Sequence, residues 1–288
     1  WGAIPRPFVA TVEQKTVEAV RLAKADLAPA ELSLGQTRVV GGNHNRTTKA
    51  FKKDDQFGKD SNDNERWLDT LLQALLFERA GGKRSLLWYH FSAHAVCYAD
   101  EQAGPDWPGE VAELVAKNQK LSPSFLQGHC GDVNPGDGVN WRGEIKQTVN
   151  AIYPALCQAI SNVKRLKVNT LRSQTTQFSL PLDKALHKSW VERYQKQPDQ
   201  CVRGEWVDAG FAKDCFEGNA KRDLGDGHVP ISLSALQLGD VGMVFHPSEL
   251  YSCFGLTIRR DSPLANTLVV GYTDGIIGYL PDPNAYKA

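Results

Sequence analysis

Three stretches of the sequence end an apolar run in polar, Gly- or Pro-containing residues that could do chemistry. The first is Ser92-Ala93-His94-Ala95, after the run Ser85–Phe91. A neutral imidazole at His94 could hold a metal ion. The plainer alternative is a loop histidine bonded to backbone, and His90 is read as structural. The second is His246-Pro247-Ser248-Glu249, which the pattern places between a strand and a helix. Glu249 in the first helical turn is either an N-terminal carboxylate favoured by the helix dipole or a metal ligand on a rigid junction. The third is Gly128–Gly136, whose glycines let backbone approach a ligand closely. Asp132 could orient a ligand there, and Asn134 could donate its amide to a substrate carbonyl. The plainer alternative is a polar turn that satisfies its own backbone. Cys130 adds a nucleophile, with His129 or another histidine as its base, although neighbours in an extended segment face opposite ways.

Positioning these residues requires strands that stop at the right places. Ser85–Phe91 and Ser124–Gln127 read as strands that deliver His94 and the Gly128–Gly136 loop. Thr37–Val40 is a short strand, Asn43–Arg46 a loop, and Lys52–Asn64 a polar surface loop. Helices are expected at Val12–Leu27, Trp67–Phe77, Gly109–Lys117, from Ile145 to Ile160 with Pro154 inside, at Lys184–Lys196 and at Leu250–Arg260. Val229–Leu238 and Val241–Phe245 flank Gly239-Asp240, a tight hairpin signal. Further strands are expected near Lys167–Leu180 and Thr267–Tyr272, and Cys201–Gly227 has loop character. Strands alternating with helices predict an α/β (mixed α+β) fold, a central sheet with helices packed on it, forming a single catalytic domain over residues 1–288.

Composition narrows the function classes. Lys+Arg and Asp+Glu are both 33 of 288 residues, so bulk charge gives no reason to expect nucleic acid or an anionic membrane as partner. No apolar run approaches the length of a membrane span. The opening Trp1–Pro7 has neither the basic region nor the apolar stretch of a signal peptide. Six cysteines include no Cys-x-x-Cys pair, which argues against a zinc knuckle. Cys201 and Cys215 flank a polar stretch that a disulfide would close; the other reading is six thiols in packed surroundings.

Ser92-Ala93-His94-Ala95, Asp106-Trp107-Pro108-Gly109, Phe125–Gly128 running into Gly131-Asp132-Val133-Asn134-Pro135, Pro247-Ser248-Glu249 and Gly278-Tyr279-Leu280-Pro281 with Tyr286 come in that order. The order resembles the neutral/alkaline non-lysosomal ceramidases, most closely their broad bacterial branch. The resemblance implies one zinc ion, with His94, Glu249 and Tyr279 among its ligands. It also implies a further histidine from a His-Thr-His-Ser-Gly-Pro type motif, for which this sequence has no counterpart. That places the missing ligand on a companion polypeptide or on a segment before Trp1, with the chain truncated at both ends. Asn134 stands where characterised ceramidases have a serine, so serine chemistry is unsupported and a water activated by zinc is the expected nucleophile. The implied reaction is hydrolysis of a small-molecule or lipid amide such as ceramide. Asn134, Asp132 and His129 are the catalytic candidates, in a periplasmic or extracellular protein with Cys201–Cys215 as its disulfide. A non-catalytic binding or scaffold protein and a cysteine hydrolase using Cys130 are the alternatives.

Overall fold

A computed structural model describes residues 5–47, 67–98, 104–197, 217–218 and 220–282. In chain order its elements are α1 (Arg6–Ala25), β1 (Ala30–Arg38), β2 (Asn43–Asn45), β3 (Leu71–Arg79), β4 (Leu86–Phe91), α2 (Asp106–Asn118), β5 (Ser122–Gln127), β6 (Val133–Pro135), α3 (Ile145–Ser161), β7 (Lys164–Arg165), β8 (Leu171–Pro181), α4 (Lys184–Lys196), β9 (His228–Leu238), β10 (Val241–Phe245), β11 (Glu249–Leu250), α5 (Ser252–Asp261), β12 (Asn266–Val270) and β13 (Tyr279–Leu280). The content is mixed α+β, as the sequence indicates. The Lys52–Asn64 stretch, the Cys201–Cys215 pair and Tyr286 lie outside the described residues.

The chain divides into two compact units, Trp1–Leu27 with Gln177–Ile231, and Ala28–Thr176 with Ser232–Ala288. In the smaller unit α1 begins earlier than its apolar spacing suggests, because Pro7 suits a first helical turn. Asp183 caps α4 by accepting from the Leu186 N–H at 2.8 Å. No described residue of either helix is buried, and Phe8, Val12, Val20 and Trp190 stand exposed.

The larger unit holds every candidate residue named above that the structure describes. Its five-stranded sheet has the order β5-β4-β3-β1-β7, with β3 antiparallel to both neighbours and β4 parallel to β5. One face carries Leu72, Ala74, Leu87, Tyr89 and Phe91 into a core with Trp107, Val111 and Val115 of α2 and Val149, Ile152 and Leu156 of α3. The other face carries Leu32, Leu34 and Leu75 against Val241, Met243, Leu268 and Val270 of a second sheet, ordered β12-β10-β9-β8. The Gly239-Asp240 hairpin joins β9 and β10 as its signal predicts.

This layering corrects two expectations. Trp67–Phe77 is not a helix: Leu72 to Leu76 are all buried, and alternate residues pack on helices and on the second sheet, so the run is apolar on both faces. Asn43–Asn45 is not a loop, because it pairs antiparallel with β6 in the register His44↔Asn134.

Gly35 of β1 lies against α3 so closely that a Cβ would collide with the Ala159 carbonyl. Gly35→Ala should therefore force sheet and helix apart and destabilise the protein by about 1–3 kcal/mol, measured by urea unfolding. An unchanged unfolding midpoint would show that α3 does not press on that strand.

Candidate active site

The exit from β4 sets the first functional side chain. The Val133 carbonyl accepts the His94 backbone N–H at 3.1 Å and also meets ring Nδ1 at 2.9 Å. A carbonyl can only accept, so Nδ1 carries a proton, and in the neutral ring the lone pair lies on Nε2. Trp107 adds a third tie by donating its indole N–H to the His94 carbonyl at 2.8 Å.

Glu249 is not in a helical turn as the sequence suggested. It forms, with Leu250, a two-residue strand parallel to β13, in which Glu249 stands opposite Tyr279. The Glu249 N–H donates to the Gly278 carbonyl at 2.9 Å and the Tyr251 N–H to the Leu280 carbonyl at 3.2 Å. Gly131 donates its N–H to the Leu250 carbonyl at 2.9 Å, and a Cβ on Gly131 would strike the Glu249 carbonyl and the Tyr251 ring. The loop Gly128–Gly136 therefore touches this short ladder through a position that only glycine fits. As a result Glu249 Oε1 lies 3.2 Å and Tyr279 Oη 3.4 Å from His94 Nε2. The structure brings His94, Glu249 and Tyr279 together.

Two residues that sequence reasoning missed complete the group. Arg46, just after β2, donates to Asn134 Oδ1 at 3.2 Å, to the Gly131 carbonyl at 2.9 Å and to Tyr279 Oη at 2.9 Å. Its guanidinium also faces the Trp141 and Tyr279 rings at 5.6 and 5.5 Å. Tyr272 donates its hydroxyl to Glu249 Oε1 at 2.6 Å. The only sequence signal for either was a polar or aromatic residue in a Gly-rich turn.

The electrostatics follow from these contacts. Burial lowers the His94 pKa, but the neighbouring Cys130 and the Glu249 carboxylate outweigh it and push the ring up to about 9. Burial would raise Glu249, yet bonds from His94 and Tyr272 hold its carboxyl below the usual value. Burial raises both Tyr272 and Tyr279, so both stay neutral phenols.

The catalytic candidates take other places. Asp132 is buried and accepts from Ser252 N–H and Oγ–H, both at 2.8 Å, and from Asn45 Nδ2 at 2.9 Å. Burial raises its pKa. Asn134 is fully buried and spends its amide on the Trp141 carbonyl at 2.6 Å. His129 and Cys130, neighbours in the chain, point to different partners. Cys130 sits by His94 and lies 3.7 Å from Tyr272 Oη, whereas His129 Nε2 lies 3.3 Å from Asp69. His129 is thus not placed as a base for Cys130.

Among the described residues no group of three or more His, Cys, Asp or Glu side chains is arranged to hold a metal ion. The group here has one histidine, one glutamate and one tyrosine, a nitrogen and oxygen donor set that suits zinc chemically.

A crystal structure of neutral ceramidase from Pseudomonas aeruginosa superposes with a TM-score of 0.61, at 15% identity, over 94% of this chain and 49% of that one. A ceramidase complexed with C2 matches with a TM-score of 0.60, at 16% identity, over 92% of this chain and 50% of that one. The fold is ceramidase-like. This chain spans about half the length of the solved ceramidases it matches. Neither a family model nor a curated protein matches it.

The same unit holds a buried charge pair. Asp69, fully buried, accepts from Arg259 at 2.7 and 2.6 Å, one contact to each carboxylate oxygen. Burial would raise Asp69, but the Arg259 guanidinium holds its pKa well below the carboxylate range. His129 itself is pushed down to about 3 by burial and is neutral. A carboxylate whose folded pKa lies below its unfolded value adds stability above the unfolded value and loses it as pH falls through the folded one. Arg259→Ala should cost about 3–5 kcal/mol at pH 7 by leaving a buried charge uncompensated. The gap to wild type should narrow toward acid pH as Asp69 takes up a proton. Urea unfolding from pH 7 to pH 3 measures both effects, and a gap independent of pH would show that the lost guanidinium acts by packing alone.

Proposed function

We propose that this chain carries the site of a zinc-dependent hydrolase that cleaves the amide bond of an N-acyl lipid such as ceramide. The observation behind the reading is that Glu249 Oε1 and Tyr279 Oη lie 3.2 and 3.4 Å from His94 Nε2, the three residues coming from separate strand ends. The ceramidase-like fold supports the same reaction class.

Zinc bound to these three would supply Lewis acidity and a nucleophilic water near neutral pH. The protein's own groups do the rest. Val133 keeps His94 Nε2 turned toward Glu249 and Tyr279, where its lone pair would meet the ion. Glu249 stays ionised, and Arg46, bonded to Tyr279 Oη, favours electron density on that oxygen. A guanidinium offers five N–H groups, so Arg46 can also donate to a substrate carbonyl oxygen as charge builds there. Asn134 acts through Arg46, whose Nη1 it anchors. The same reading carries the proposal of a protein in the periplasm or outside the cell. Among the described residues no helix is long and apolar enough to cross a membrane.

A second reading has one observation in its favour. Cys130 sits beside His94, as a nucleophile sits beside its base. Iodoacetamide separates the two: alkylation that abolishes hydrolysis while bound zinc is unchanged favours the cysteine. Zinc-free protein that hydrolyses no amide favours a non-catalytic role.

Glu249→Gln should lose bound zinc, measured by atomic absorption, together with hydrolysis of a fluorescent N-acyl sphingosine. Full zinc in an inactive Glu249→Gln protein would make Glu249 an acid or base and overturn its place as a ligand. Asn134→Ala should keep its zinc and lose about 10²-fold in turnover, the cost of a misplaced catalytic group. Full activity in that variant would reduce the Gly128–Gly136 loop to a structural turn.

A further inference from the structure

The shortest hydrogen bond on Glu249 comes from Tyr272, a residue outside the three proposed ligands. Its backbone is left-handed, with φ of 55°, a conformation costly for a bulky side chain. Such strain persists only where the surroundings over-determine it. Here both flanking residues are pinned: Gly271 donates its N–H to the Gln127 carbonyl at 2.9 Å and Thr273 to the His246 carbonyl at 3.0 Å. Tyr272 is 39% exposed, yet its hydroxyl reaches inward to the same Glu249 oxygen that faces His94. A phenol has one O–H, and the carboxylate takes it. Any bond between the Cys130 thiol and Tyr272 Oη, 3.7 Å apart, then runs from the thiol to the phenol oxygen.

We propose that Tyr272 is a positioning residue that holds the Glu249 carboxylate in the orientation a metal ion requires, an inference resting on the zinc reading above. Groups of this kind orient the ligands they touch, and losing one costs 10–100-fold in metal affinity. The strained backbone is the cost of aiming a phenol from the turn after β12 at a strand that Tyr272 does not adjoin in sequence.

Zinc affinity of the purified full chain, measured by competition with a chromophoric chelator, tests this with wild type, Tyr272→Phe and Tyr272→Gly. Both variants should bind zinc about 10–100-fold more weakly than wild type. Tyr272→Phe keeps the ring, while Tyr272→Gly removes it and relieves the left-handed strain, so thermal stability should separate the two while zinc affinity does not. The visible spectrum of cobalt(II) bound in place of zinc should also change in both variants. Unchanged affinity and an unchanged cobalt spectrum in Tyr272→Phe, with wild type binding zinc tightly, would overturn this inference alone and leave Tyr272 a structural residue. Wild-type protein that binds no zinc would overturn the zinc reading and this inference with it.

Discussion

One carbonyl oxygen, that of Val133, holds the group of His94, Glu249 and Tyr279 in register. It takes both the backbone N–H and the Nδ1–H of His94. Val133 in turn lies in β6, paired with Asn45 of β2. Arg46 follows Asn45 directly and Asn134 follows Val133, so the ladder that fixes the acceptor also delivers a cation and its anchor to the same place. A shift of this ladder by one residue would turn alternate side chains to the opposite face and misplace Arg46 and Asn134 together. His94 would lose its tautomer and its orientation in the same event.

The layer beneath is polar, which is unusual between two sheets. Gln73, His90, His129 and His246 are buried there, and each has a side-chain atom with no hydrogen-bond partner in the protein. Desolvation disfavours charge on the rings: burial lowers His90, pushes His246 down to about 4 and His129 to about 3. Asp69 and Arg259 carry opposite charges there and offset each other at hydrogen-bond distance.

How far the sequence reveals this depends on whether a feature is local. The hairpin at Gly239-Asp240, helix α4 and the strand that ends before His94 could be read because turn residues and apolar period agree there. The run from Leu71 misleads because a strand buried on both faces has no alternation to separate it from a buried helix. His94 and Glu249 could be nominated as residues just beyond strands. Tyr279 came only through the resemblance, since its own stretch is short and lies in a region of turns. Arg46 and Tyr272 could not be nominated, because their roles depend on ladders and turns that join segments 233 and 23 residues apart.

The ladder β11–β13 shows why so little regular structure suffices. In a parallel pair, residues opposite each other project to the same face. Placing Glu249 opposite Tyr279 therefore commits carboxylate and phenol to one side with a spacing set by the backbone. Two residues cannot hold that register alone, but the Gly131 N–H bonded to Leu250, the Glu249 N–H to Gly278 and the Tyr251 N–H to Leu280 extend it through loops. Two of these bonds require backbone contact too close or too sharply turned for most side chains, as the collision at Gly131 and the φ of 84° at Gly278 show. The glycines that look like loop filler in the sequence are thus what lets His94, Glu249 and Tyr279 meet.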